Sequence, residues 1–478
     1  MVTQPSPEAS PTQARRVLLI SSLAVFAVFL DTTVLFVAFP DIVASFPDVA
    51  PSQLSWVLNG YTIMFAALLV PFGRMADRRG HKQTFLAGSV LFTLASLLCA
   101  IAPTPLALVA ARVVQAAGGA ALVPSSLALV LRSTPHPRIP VALAIWGATG
   151  AVAGAIGPTL GAAIVETGGW RWVFVLNVPV GLATVLLGRR TLTESNDPSS
   201  VVPAPLGVAL LVAGSVLVTL GLVRGGDWGW TSTSTVGSVS SGLAVLALFV
   251  VHQARTPAPT IDLALFAVRN FRWGNAATMA FGVAFTAMFL SSILFLTSVW
   301  GWSILRAGFG VAPGPLLVAV LAPQMGRVAA RIGQQPLLVA GGLAFAIGGL
   351  YRLLFLGADV AYARDYLPSM LFTGIGVALC LPQLASVVGQ SLPANRLGVG
   401  GAVNQALRQF AGTIGVALAV GLTAGATGLD DTLARYDRVW WVLVGGGLAT
   451  TVLAAPLRTG ARAAAASPPA AVVVAGGD

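Results

Sequence analysis

Asp31 has the most chemical scope in this chain, because it is a carboxylate set well inside an apolar run, VLLISSLAVFAVFLDTTVLFVAF. A charge in hydrocarbon is expensive unless it is protonated or paired, so it marks function. Arg112 lies inside a second apolar run. At about 1.5 Å of rise per helical residue the two sit at comparable depth and can meet. An arginine neighbour favours an ionised carboxylate and desolvation a protonated one, so the pair suits a group that takes up and releases a proton. The competing expectation is a static ion pair that locks two helices together.

A second constellation is the basic stretch GRMADRRGHK, Gly73 to Lys82, where Asp77 stands among Arg74, Arg78 and Arg79, with Gly80 behind them. PQMGRVAARIGQ, Pro323 to Gln334, repeats Gly, Arg, Ala, Arg and Gly at the same offsets, with Ala330 in the place of Asp77. The same element in two slots far apart indicates a chain built from two similar halves. Asp77 is expected to cap the following helix and clamp it when that side of the molecule is closed; a merely solvated basic loop is the plainer reading. Gly147, Gly150, Gly154, Gly157 and Gly161 recur at helical spacing, with Pro158 adding a bend, so they form a face that another backbone can approach closely.

Further polar groups within apolar runs are Asn59, Tyr61, Gln115, Asn404, Gln405, Arg408 and Gln409. Some should join helices and others line a cavity. Arg408 has no acid on its own helix, which places it at a water boundary or opposite an anionic group. Phe281, Phe285 and Phe289 repeat every fourth residue with Met288 alongside, a stripe suited to a lipid-facing or packed surface or to a lipophilic ligand. No catalytic constellation, CxxC or HExxH is present, and the three histidines, His81, His136 and His252, fall in expected loops. No metal site and no cofactor are expected, and an enzyme is excluded for want of clustered His, Cys or paired acids. Cys99 and Cys380 read as packing residues.

The elements that position these groups follow from composition. A chain of 478 residues that is 56% hydrophobic and 9% charged cannot clothe a soluble globule of that size, and its mean hydropathy is +0.85. It is an all-α integral membrane protein held in the lipid bilayer, its 53 Gly serving close helix packing. At about 20 residues per crossing there are fourteen spans, in the order six, two, six. The expected divisions are a disordered tail over 1–14, a six-helix bundle over 15–190, a linker with two extra helices over 191–255, a second six-helix bundle over 256–457, and a disordered tail over 458–478. With both termini inside, two-thirds of the 27 Lys and Arg fall in cytoplasmic loops, as orientation in a membrane requires. The net charge of +11 thus reports topology, and nucleic acid is not an expected partner. No loop is long enough for a signalling domain, which disfavours a non-transporting sensor.

The chain resembles the major facilitator superfamily, and within it the fourteen-helix branch of drug:proton antiporters. LDTTVLFVAFP (Leu30 to Pro40) is similar to that branch's first-helix motif, GRMADRRGHK to its loop motif and RVVQAAGGAA (Arg112 to Ala121) to its fourth-helix motif. GATGAVAGAIGPTLG (Gly147 to Gly161) resembles the exporters' fifth-helix motif, and WRWVFVLNVPVG (Trp170 to Gly181) the entry to the sixth helix. Phe36 stands where family members usually carry Asn, and Ala116 where they carry Gly. The resemblance implies two six-helix halves rocking about a central cavity, with the glycine face of the fifth helix sealed against a helix of the C-terminal half. It implies proton-driven export of a small lipophilic, drug-like compound across the cytoplasmic membrane. With Asp31 the lone embedded acid, neutral, zwitterionic or singly cationic cargo is expected, carried by a monomer. Export of a self-made antibiotic, lipid or siderophore, and proton-coupled uptake, are the alternatives.

Overall fold

The computed structural model describes residues 11–135, 138–197, 200–393 and 396–459. Fourteen membrane crossings are built from seventeen α-helices, because three crossings are broken. The first six are α1 (Pro11–Ser45), α2 and α3 (Pro51–Leu54, Trp56–Arg79), α4 (His81–Ala100), α5 (Pro105–Ser133), α6 (Ile139–Gly168), and α7 with α8 (Arg171–Val175, Asn177–Thr191). The extra pair is α9 (Pro205–Trp228) and α10 (Thr233–Arg255). The last six are α11 (Arg269–Ser298), α12 with α13 (Ile304–Val311, Pro313–Ile332), α14 (Gln334–Phe355), α15 (Leu367–Gln390), α16 (Leu397–Thr423) and α17 (Leu429–Ala454).

Thirteen crossings are apolar and long enough by composition alone. The fourteenth, α17, carries Asp430, Asp431, Arg435, Asp437 and Arg438 near its start, which dilutes an otherwise apolar helix. Helix α1 begins at Pro11, so residues 11–14 are helical rather than part of a disordered tail. Residues 1–10 and 460–478 lie outside the described residues. Arg458 and Thr459, expected to be loose, are tied down: Arg458 exchanges backbone bonds with the Asn270 side chain, and Thr459 Oγ accepts from Gln335 N at 3.0 Å.

Small residues set the helix contacts, as the glycine content predicts. A Cβ on Gly88 or Gly118 would strike the facing helix of the α4/α5 pair, and one on Gly341 or Gly376 would do the same in α14/α15. Gly88 follows Gly80 by the same interval as Gly341 follows Gly333, so the repeat extends from the loop into the packing. Helix α9 lies against α3 and α16, where Gly421 approaches the backbone of Leu222, and α10 packs on α9. The extra pair therefore sits outside the two halves, bridged to the first by Ser52 Oγ donating to Asp227 at 2.7 Å.

The two ends of the bundle differ. At the end carrying Trp170, α6 meets α12 across the halves: a Cβ on Gly308 would overlap Ala162, and Leu305 N donates to Glu166 at 3.3 Å. The basic end shows no such overlap at the glycines of α6 and α13. Gly147, Gly154 and Gly326 face open space, and a cleft of ≈ 500 Å³ lies against Pro323, Gln324, Arg327 and Arg331 of α13.

Candidate functional site

Asp31 and Arg112 meet, and they do so at the centre of a network that draws on five of the six crossings of the first half. Arg112 Nη1 donates to Asp31 Oδ2 at 2.5 Å and to Gln115 Oε1 at 2.6 Å, while its Nε donates to the Val57 carbonyl at 3.2 Å. Asp31 Oδ1 accepts from Gln115 at 3.0 Å and from Asn177 at 2.7 Å. Ser96 of α4 accepts from both amides, at 2.8 and 3.3 Å. The guanidinium lies 4.0 Å from the Tyr61 ring centroid and 5.7 Å from that of Phe174, so its faces are covered by aromatic carbon.

This arrangement meets the cost of burying charge by saturating it. The Asp31 side chain is 0% exposed and that of Arg112 1%, and both carboxylate oxygens are occupied by N–H donors. Removing one partner of such a pair strands the other, which costs about 3–5 kcal/mol. Sequence reading found Asp31, Arg112, Gln115 and Tyr61, but missed Ser96 and Asn177. Asn177 did carry a signal, an amide inside an apolar span.

The other expected residues divide. Asn59 is buried and donates to Ser55 at 3.4 Å, with its Oδ1 unpartnered. Asn404 bonds Asn275 at 2.9 Å and so joins α16 to α11. Arg408 reaches across to the other half, its guanidinium 5.9 Å from the Phe29 ring. The phenylalanine stripe is not a lipid face: Phe281 is fully buried against Phe345, and Phe289 crosses to Phe36 of α1 at 5.6 Å, leaving Phe285 half-buried between them. Phe36, where relatives of the motif carry Asn, thus supplies apolar contact between the halves.

The glycine face of α6 corrects one expectation. Gly150, Gly157 and Gly161 face α1 of their own half, against Phe29, Thr33 and Val34, rather than a helix of the C-terminal half. The 3.6-residue period shows which residues share a face; it does not show which neighbour that face meets. Pro158 does touch the opposite half, its carbonyl lying against Gly308 of α12. Gly154, at the edge of the face, has nothing within 4 Å.

The basic stretch also differs in detail. The start of α4 is capped by Glu194, from the segment after α8, which accepts from Lys82 N and Gln83 N at 3.0 Å each. A carboxylate at a helix N-terminus satisfies orphan amides and opposes the dipole, and here the linker supplies it instead of Asp77. Asp77 meets His81 at 3.1 Å, and His81 Nδ1 lies 2.6 Å from the Ser195 carbonyl. His81 is therefore the buried first residue of α4 and not a loop residue, and His252 lies in the last turn of α10; His136 is outside the described residues. Gly80 adopts φ +125°, and a Cβ there would overlap the Glu194 carboxylate; Gly333 takes φ +86° at the equivalent turn. Gly73 packs on Pro124, while Arg74 and Arg78 form no ion pair among the described residues.

Comparison with known proteins agrees with this architecture. The cephamycin export protein CmcT of Amycolatopsis lactamdurans is 34% identical over 93% of this chain and 92% of its own length. The multidrug resistance protein Stp of Mycobacterium tuberculosis is 31% identical over 84% of this chain and 74% of its own, and the tetracenomycin C resistance and export protein of Streptomyces glaucescens 30% over 86% and 76%. A solved peptide transporter, POT in complex with sulfate, shares the fold at a TM-score of 0.66 and 16% identity, covering 95% of this chain and 96% of its own. Residues 21–416 match the family model of the Major Facilitator Superfamily. With buried networks, repeat and bundle all in that pattern, this multi-pass membrane chain is a transporter of the Major Facilitator Superfamily, related to its fourteen-helix drug and antibiotic exporters.

Proposed function

We propose that the chain is a proton-coupled exporter of small lipophilic, drug-like compounds across the cytoplasmic membrane, with its basic end and both termini in the cytoplasm. The observation that carries this reading is the sealed Asp31 network, a carboxylate held by five crossings of one half and bonded to donors on α5 and α8. Alternating access requires proton and cargo to favour different states of the two halves. In the state described here α6 and α12 meet at the end carrying Trp170, while Gly147 of α6 and Gly326 of α13 border open space toward the basic end, the side from which cargo would enter. Protonation of Asp31 from outside would weaken its bond to Arg112 and release α1, and α1 carries Phe29 and Phe36, which reach the second half.

Reconstituted vesicles given an imposed ΔpH test the coupling. Flux of a lipophilic dye should follow the gradient in the native chain and ignore it in Asp31→Asn, compared on purified, monodisperse protein because Asn leaves Arg112 without its counter-charge; gradient-driven flux in that variant would remove Asp31 from the mechanism. A second reading is export of a self-made antibiotic, supported by the near full-length likeness to the cephamycin export protein. The two readings share a mechanism and separate on cargo: cells lacking the chain would lose self-protection against one endogenous product instead of a broad panel.

A further inference from the structure

We propose that Arg408 and Gln405 of α16 form the recognition point for an anionic group, a carboxylate or its equivalent, on the cargo; this rests on the export reading and narrows it to lipophilic anions. Arg408 sits near the middle of α16 and is half-buried, yet among the described residues it makes no ion pair and no hydrogen bond. Its guanidinium lies 5.9 Å from the Phe29 ring of the opposite half. That ring would lie 3.2 Å from a Cβ on Gly150, so α1, α6 and α16 converge there and the guanidinium looks across the line between the halves, away from lipid. Gly154, one turn further along α6, borders open space.

A second donor points the same way. Among the described residues the Gln405 amide nitrogen is buried without a partner, and three residues of helix put Gln405 and Arg408 on one face. Two donors without acceptors, one of them a cation, form a site that an anion completes. An unpaired guanidinium at this depth is costly, and a ligand that neutralises it offsets that cost. Cationic cargo has no corresponding partner. Asp31 is sealed, both its oxygens taken by Arg112, Gln115 and Asn177. The expectation of neutral, zwitterionic or singly cationic cargo rested on Asp31 as the lone embedded acid.

Binding separates charge sign from hydrophobicity. Protein in lipid nanodiscs is titrated with radiolabelled decanoate and with decyltrimethylammonium, equal apolar chains of opposite charge, against empty nanodiscs. Arg408→Gln should weaken decanoate binding about tenfold or more, the size of a lost charge-assisted hydrogen bond. Arg408→Lys should recover most of it, and neither variant should weaken the ammonium. A purely structural role for Arg408 would weaken both probes together with the melting temperature. Decanoate binding that is indifferent to Arg408→Gln, or native protein that binds only the ammonium, overturns the proposal. Vesicle flux keeps the two claims apart: Arg408-dependent decanoate binding without transport sinks export and leaves the site standing, whereas gradient-driven export of the ammonium alone does the reverse.

Discussion

The two halves each bury an arginine completely, and they treat it differently. In the first half Arg112 is matched by a carboxylate. In the second, Arg352 of α14 is 0% exposed and has no acid among the described residues; it donates to Ser369 Oγ at 3.2 Å and Ser292 Oγ at 2.8 Å, and lies 4.7 Å from the Trp440 ring centroid. Arg352 follows Gly333 by the interval at which Cys99 follows Gly80, so the cation has moved by one helix within the same scaffold. The surrounding crossings correspond: first, third, fourth and sixth of each half. The lesson is that the repeat conserves the place of a polar knot and not its charge balance. Among the described residues only the first half holds a carboxylate in its knot.

Breaking each knot in turn tests this contrast. Arg112→Met strands Asp31 in apolar surroundings and should cost about 3–5 kcal/mol, seen as a large fall in the detergent melting temperature and in expression. Gly157→Leu should be nearly as damaging, because even a Cβ would overlap Thr33, while Gly154→Leu should fold and lose transport, since its side chain enters space that closes when α6 and α13 come together. A dye-flux assay on purified, monodisperse protein tells those two apart. Glu194→Ala removes the cap of α4 and should cost about 1 kcal/mol of stability, with Asp77→Ala costing less because among the described residues the Asp77 side chain bonds His81 alone, its bond to the linker being made by its own backbone carbonyl. Arg352→Met should have the smallest effect. The hydroxyls it leaves behind already donate to the carbonyls of Met288 and Tyr366, so no orphan is created, and a melting loss as large as that of Arg112→Met would refute the contrast.

Much of this was legible before any coordinates. Fourteen crossings follow from apolar run length, because a hydrocarbon slab about 30 Å thick imposes that length on any spanning helix. The repeat of Gly73–Gly80 at Gly326–Gly333 followed from offsets, and the meeting of Asp31 with Arg112 from equal depth and opposite charge. Arg352 lies only a few positions from the end of its apolar run, so nothing along the chain marks it as buried; tertiary packing encloses it among Ser292, Ser369 and Trp440. Sequence by itself determined the spans and the matching depth of Asp31 and Arg112, because these depend on distance along one helix. Which neighbour each face meets was decided only in three dimensions. The partner of the α6 glycines, the Glu194 cap on α4 and the unmatched guanidinium of Arg408 depend on how helices rotate and tilt against one another, and no periodicity within a single helix records that rotation.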